Sequence, residues 1–350
     1  MRATAFTLLA ALSSAHAQAT SYVFPFTNDT SLASGYHIHA SVGSGPTTEF
    51  LIDTGSAGIV ISPRALGSNY TSLNSSFCFA YSSSNNTYQG EWVLAPVLLS
   101  SGSVSAHTVP LPVRVATHFC AGSTGRCTSD PGEISVAVLG VGFDRGNMSW
   151  GGADSCGNPV PLGVNAFLQL EGMQRAGSME PGYIISPSNG TITLGITDEN
   201  SAGFDLVQLT QLGNSSTLGY SEWQAPKVQI AAQGQSWAPF NASLLVDTGL
   251  SYSIVQAPLD DSLPGPTASG STLVQNGTSL NLTLPAFGGQ QLYAFTTGQP
   301  GAPSYVSWRH YVPAGGPFVN TGRWALGGFD YLFDAGEGRL GFRFNASRAL

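Results

Sequence analysis

Apolar residues in this chain come in short runs broken by Gly, Pro, Ser and Asn, which is the pattern of strands joined by tight turns. Val93-Leu94-Ala95-Pro96-Val97-Leu98-Leu99, Gly182-Tyr183-Ile184-Ile185 and Thr191-Ile192-Thr193-Leu194 are runs of this kind. One stretch, Asn165 to Met173, spaces its apolar residues three and four apart and predicts a helix. The expectation is a mostly β protein, and 350 residues allow two domains. Two runs end alike: Phe50-Leu51-Ile52-Asp53-Thr54-Gly55-Ser56 and Leu244-Leu245-Val246-Asp247-Thr248-Gly249-Leu250. Each sets Asp-Thr-Gly after three apolar residues, and the two aspartates are 194 positions apart. The repeat predicts two related β lobes that divide near residue 200, one over 18–200 and one over 201–350.

The start has a different pattern. Met1-Arg2, an apolar run from Ala5 to Leu12 and the small-x-small end Ala15-His16-Ala17 read as a secretory signal over residues 1–17. That run is too short to span a bilayer, and no later segment offers about 20 uninterrupted apolar residues. A secreted, extracellular chain without a membrane partner is expected, and the tail from Gly341 to Leu350 lacks a lipid-anchor signal. Sequons at Asn28, Asn69, Asn74, Asn85, Asn147, Asn189, Asn214, Asn241, Asn276, Asn281 and Asn345 fit an exported glycoprotein.

Charge narrows the partners. Only 9% of residues are charged, the net charge is −8 and Lys227 is the single lysine, so there is no basic patch to neutralise phosphates and nucleic acid is not an expected partner. Low charge density also suits an acidic medium, where protonated carboxylates would leave little positive charge to repel. Four cysteines, Cys78, Cys120, Cys127 and Cys156, read as disulfides in an exported chain. Of the three pairings open to them, Cys120 with Cys127 across a Gly-rich loop, leaving Cys78 with Cys156, is favoured. No Cys-x-x-Cys or histidine cluster points to a metal, and no cofactor is called for. His37, His39, His107, His118 and His310 show no spacing that would serve a serine or cysteine nucleophile.

The paired aspartates carry the chemistry. Two carboxyls forced together cannot both ionise comfortably, so one serves as base and the other as acid toward a water molecule attacking an amide.

At these motifs the chain resembles the pepsin-like aspartic proteases, over nearly all its length after the signal. In that family an apolar-apolar-Gly segment passes behind each Asp-Thr-Gly turn. Ala137-Val138-Leu139-Gly140 matches it in the first half and Trp324-Ala325-Leu326-Gly327-Gly328 in the second. Gly182 to Asp198 resembles the end of the family's first lobe, and Tyr331 to Phe342 its final hairpin. The resemblance implies a bilobal fold with the active-site cleft between the lobes, and catalysis by a water held between Asp53 and Asp247. It implies that Thr54 and Thr248 bond across the two turns, and that Gly55 and Gly249 let backbone amides reach the inner carboxylate oxygens. A peptide or protein substrate, an acidic pH optimum and a monomeric state follow from the same source.

Three departures from the family pattern leave a second reading open. Ser56 supplies the hydroxyl that binds the outer oxygen of Asp53, whereas Leu250 fills the matching place for Asp247 and Ser251 comes one position late. The flap tyrosine is assigned to Tyr81, with Gly90 closing its hairpin, Tyr88 as competitor, and Val60 where the family has a tryptophan. Between the predicted cut and Asp53 lie 35 residues, Gln18 to Ile52, in which no prosegment fits. The first reading is a secreted aspartic endopeptidase. The alternative is a pepsin-like relative that has become a binding module or has redirected its cleft.

Overall fold

The computed structural model of the chain describes residues 20–27, 32–145, 152–174, 177–214, 218, 220–233, 239–258, 272–310 and 316–345. The predicted signal segment and the sequons Asn28 and Asn147 lie outside these residues. Within them, all regular structure is strand or short 3-10 turn, so the mostly β expectation holds. No helix among the described residues is long and apolar enough to cross a membrane.

The stretch read as a helix is instead two 3-10 turns, Ala166–Leu168 and Glu171–Met173. The Asn165 side chain accepts from the Phe167 N–H at 3.0 Å and starts the first turn. The path then breaks toward a neighbouring segment, where the Val109 N–H donates to the Gln169 carbonyl and Thr108 bridges Leu170. Ala166, Phe167, Leu168, Leu170 and Met173 are all buried, so their spacing reflects cover on several sides and not one helical face. Pro96, which has no N–H to give to a ladder, likewise splits the run Val93 to Leu99 between strands Asn86–Ala95 and Val97–Ser101.

Three large sheets build the bilobal molecule. A ten-stranded sheet holds the first Asp-Thr-Gly turn and runs, in spatial order, from the hairpin Thr71–Tyr81 and Asn86–Ala95 through Leu111–Cys120, Ala57–Ile61, Ala137–Val141 and Thr48–Asp53 to His37–Val42 and beyond. A seven-stranded sheet holds the second turn between Phe240–Leu245 and Ser253–Ala257. A six-stranded sheet takes strands from both halves: Glu180–Ser186 pairs with Phe329–Asp334, aligning Gly182 with Asp334. Phe143 stacks on Phe333 at 4.2 Å, and the Tyr183 hydroxyl donates to the Val141 carbonyl at 2.8 Å, tying this sheet to the first lobe. Buried Asp334 and Asp330 pair with Arg339 and Arg343 within that sheet.

Both Asp-Thr-Gly turns are set by parallel pairing. In the first lobe, Ala137–Val141 runs parallel to Thr48–Asp53 with Gly140 opposite Asp53. In the second, the strand in that place is Phe318–Asn320, parallel to Phe240–Leu245 with Asn320 opposite Leu245. This corrects the sequence reading, because Trp324 to Gly327 lies in a 3-10 turn over Arg323–Gly327. The counterpart of Gly140 is Gly322. A Cβ on Gly140 would strike Ser56 and the Gly58 carbonyl, and one on Gly322 would strike the carbonyls of Leu250 and Tyr252, the same positions of the other turn.

The bonded cysteines are Cys78 with Cys156 and Cys120 with Cys127. The latter pair lies in register between Leu111–Cys120 and Cys127–Thr128. Asn69, Asn74, Asn85, Asn189, Asn241 and Asn276 are exposed, Asn281 and Asn345 are half-buried, and Asn214 ends strand Thr210–Asn214.

Candidate active site

Asp53 ends a strand whose apolar residues are anchored in the core, and Asp247 follows one of the same kind. The pairing just described drives the two turns tip to tip, and both carboxyls are buried, with 6% and 7% of their surface exposed.

Two threonines join the tips. The Thr54 N–H donates to Thr248 Oγ1 and the Thr248 N–H to Thr54 Oγ1, each at 3.0 Å. Each hydroxyl then donates onward across the junction, Thr54 to the Val246 carbonyl at 2.5 Å and Thr248 to the Ile52 carbonyl at 2.6 Å. A threonine suits this task because its one hydroxyl accepts and donates at once.

The glycines bring the carboxyls together. A Cβ on Gly55 would overlap the carboxyl group of Asp247, and one on Gly249 would sit 2.5 Å from Asp53 Oδ1. Each glycine therefore makes room for the aspartate of the opposite turn. Their N–H groups serve their own turns, Gly55 to Asp53 Oδ1 at 2.8 Å and Gly249 to Asp247 Oδ1 at 2.9 Å.

The outer oxygens are held differently. Ser56 Oγ donates to Asp53 Oδ2 at 2.5 Å. Leu250 offers Asp247 nothing, but Asn320 Nδ2 donates to Asp247 Oδ2 at 2.7 Å. Asn320 comes from the parallel strand behind the turn, and its Oδ1 accepts the Gly322 N–H at 2.8 Å. The donor that the turn lacks is thus supplied from 73 residues further along the chain. Sequence reasoning missed Asn320; the one signal for it was Leu250 itself, which leaves a buried carboxylate oxygen in need of a donor.

Burial is the largest influence on Asp53 and the charge of Asp247 the next; together they raise its pKa against the lowering effect of Ser56 and Gly55. A carboxyl so placed keeps its proton well past the ordinary range, which an acid catalyst needs.

A cleft of about 540 Å³ opens above the pair. Its walls include Leu51, Phe79, Val136 and Val138 from one lobe and Leu245, Ile254 and Phe318 from the other. The hairpin Thr71–Tyr81 and Asn86–Ala95 overhangs it. Tyr81 is the last residue before the turn, packed edge-on against Phe79 at 4.6 Å and Tyr88 at 5.9 Å between ring centres. Its hydroxyl is buried with no hydrogen-bond partner among the described residues, and burial followed by the nearby charge of Asp53 raises its pKa. Tyr88 also lines the cleft, on the returning strand. Gly90 does not close the hairpin as expected. It lies opposite Phe77, four pairs back from the Tyr81–Asn86 closure, where a Cβ would strike the Val115 carbonyl.

Val60, where the family has a tryptophan, packs in the cluster beneath Tyr81. In that cluster Arg114 is fully buried, stacked on Phe79 and Trp92 and donating to the Ala57 carbonyl at 2.8 Å. Among the described residues one group has metal-ligand spacing, His118 with Cys120 and Cys127, and both its sulfurs are spent on the disulfide.

Two lobes, a cleft between them and an Asp-Thr-Gly turn from each at its floor define the pepsin-like aspartic protease fold. Residues 28–161 match the family model of the PE-PGRS C-terminal aspartyl peptidase-like domain, a span that includes Asp53 and ends before Asp247. The crystal structure of the aspartic proteinase from Irpex lacteus overlays with a TM-score of 0.58 at 16% identity, covering 94% of this chain and 98% of that one. No curated protein sequence matches the chain. The chain is thus aspartyl peptidase-like in fold.

Proposed function

We propose that this protein is a secreted aspartic endopeptidase that acts on peptides or proteins in an acidic medium, as a monomer, with its lobes dividing near residue 200 inside the six-stranded sheet. The observation that carries the reading is the pair of turns whose glycines each accommodate the opposite carboxyl, with two donors on each carboxyl. Plain strand-end turns have no reason to bury two acids against each other at the floor of a cleft, since burying charge is costly unless it is used.

The chemistry needs one proton on the pair. A water between the carboxyls gives a proton to the ionised one as its oxygen bonds to the substrate carbonyl carbon, while the protonated partner gives its proton to the carbonyl oxygen. The product is a neutral gem-diol. The first acid then protonates the amide nitrogen as the C–N bond breaks, and a diol hydroxyl returns its proton to the second carboxyl. Protons and electron pairs balance, and the pair ends as it began.

The binding-module alternative rests on Leu250, the altered flap and the missing prosegment, and Asn320 answers the first of these. A mixed peptide library offered to the secreted protein from pH 2 to 7, alone, with pepstatin, and beside Asp53→Asn and Asp247→Asn, tests the reading. Cleavage lost in all three controls supports it. A folded protein that neither cleaves nor binds pepstatin sinks it.

A further inference from the structure

The two outer oxygens differ in the kind of donor they meet, and this breaks the symmetry of the pair. The hydroxyl of Ser56 can donate to Asp53 Oδ2 or turn and accept from it; an amide nitrogen can only donate. Asn320 cannot be reversed, because its Oδ1 is engaged by the Gly322 N–H at 2.8 Å. Flipping the amide would set NH2 against N–H and oxygen against carboxylate. Nδ2 therefore faces Asp247 Oδ2, at 2.7 Å, and that oxygen is always an acceptor. A proton has no place on it and, on Asp247, is left only the inner Oδ1, which already accepts the Gly249 N–H just as Asp53 Oδ1 accepts that of Gly55.

On the other side a proton on Asp53 Oδ2 is accommodated. Ser56 Oγ then accepts it and turns its own proton toward the Tyr81 hydroxyl, which lies close by and is otherwise without a partner among the described residues.

Charge acts in the same direction. Arg323 is buried, donates to the carbonyls of Leu32 and Ala33 at 2.6 and 3.0 Å, and reaches the Thr248 carbonyl at 3.3 Å, which sets a cation on the Asp247 side. Two opposite charges, Asp144 and Arg145, also line the cleft, the first accepting from the Ala225 N–H at 2.7 Å and the second donating to the Phe143 carbonyl at 2.7 Å; the other groups facing the pair are phenols, Tyr81 and Tyr183 toward Asp53 and Tyr252 toward Asp247, and burial first of all keeps each of them neutral. No cation matching Arg323 faces Asp53 directly among the described residues. Arg114 lies behind Tyr81.

We propose, resting on the protease reading, that Asn320 is the positioning residue that keeps Asp247 ionised as the base toward water, and that the pair's proton resides on Asp53, the acid toward the carbonyl oxygen. Leu250 is then no defect: the second turn exchanged a donor that could reverse for one that cannot.

The test is a carboxyl-carbon NMR titration of the resting protein, labelled at aspartate Cγ and assigned with Asp53→Asn and Asp247→Asn. In the wild type, Asp247 is expected to show an ionised carbon shift throughout the range in which Asp53 still holds its proton. Asn320→Ala should move the Asp247 midpoint up by about one unit, the loss of one hydrogen bond to an ionised group. Asn320→Ala with Leu250→Thr, which restores a hydroxyl to the turn, should bring it back. An Asp247 that holds the last proton in the wild type overturns the proposal, and so does a midpoint that Asn320→Ala leaves in place. The wild-type titration decides even if the Asn320 variants fail to fold. Because it needs no turnover, a protein that titrates as expected and cleaves nothing would refute the protease reading alone.

Discussion

The Tyr252 hydroxyl donates a 2.7 Å hydrogen bond to the carbonyl of Ser83, so a residue just past the second Asp-Thr-Gly turn holds the tip of the first lobe's hairpin. Tyr252 is itself stacked on Tyr305 at 4.3 Å, which fixes the ring and aims the hydroxyl. The overhanging hairpin is thereby latched from the far side of the cleft.

Removing that hydroxyl alone should loosen the latch without disturbing the fold. Tyr252→Phe is expected to raise KM about fivefold, in line with one neutral hydrogen bond, and to leave kcat near wild type. Amide exchange across residues 82–86 should quicken. Unchanged exchange and unchanged KM together would show that the bond does not restrain the hairpin.

The raised pKa of Asp53 sets a stability trend whose sign can be worked out. Between the ordinary value of 3.8 and the raised one, the unfolded chain gives up this proton while the folded chain keeps it. The folded state then binds more protons, so stability falls as pH rises through that window. Asp53→Asn abolishes the penalty. The variant should match wild type near pH 3 and exceed it near pH 7 by something of the order of 2 kcal/mol, read as a higher Tm by calorimetry. A wild type that is the more stable of the two at neutral pH would contradict this.

A methyl group at Gly249 has no room beside Asp53 Oδ1. Gly249→Ala should cost about 1–3 kcal/mol in unfolding free energy as the tips separate, and cleavage should fall by about 100-fold because the carboxyls no longer share one water. Gly328→Ala is the matched control, since its Cβ would meet only an ordinary contact with the Ala325 carbonyl at 3.5 Å. Equal losses in both variants would locate the effect in glycine chemistry at large and not in the crowding of the pair.

The threonine crossing should behave as one unit. Each hydroxyl satisfies a carbonyl and an N–H, so Thr54→Val and Thr248→Val should each destabilise by about 2–4 kcal/mol. The double variant should cost clearly less than the sum, because all four bonds cross the same junction and the loss of one hydroxyl already parts the tips that the other holds. Strict additivity in denaturant unfolding would mean that the two halves of the crossing are independent.

What could be read from the chain, and what could not, divides by the range of the interaction. Asp53, Thr54, Gly55 and Ser56 act within one turn, so four consecutive letters display them, and the second turn repeats three of the four. Asn320 acts through parallel register with a strand some 75 residues earlier, and nothing in its local sequence points to Asp247. The backing strand of the second lobe was misplaced for a related reason. Its working residue Asn320 and the Thr321 that follows it are polar yet buried, so a search for apolar-apolar-Gly passes over them and stops at Ala325-Leu326-Gly327. The false helix at Asn165 to Met173 shows the converse error, in which periodicity was present but came from burial on several sides.

The six-stranded sheet also has a bearing on timing. Its strands Phe329–Asp334 and Arg339–Phe344 come late in the chain, yet they pair with Glu180–Ser186 and Asp205–Gln208, which are synthesised long before. The strand that carries Asn320 is late as well. A nascent chain that already contains Asp53, and even one that contains Asp247, has neither the floor that sets the lobes against each other nor the donor that completes the second turn. The cleft can be assembled only when synthesis of the described chain is nearly done, so a partly made molecule carries both aspartates without the arrangement that would let them act together.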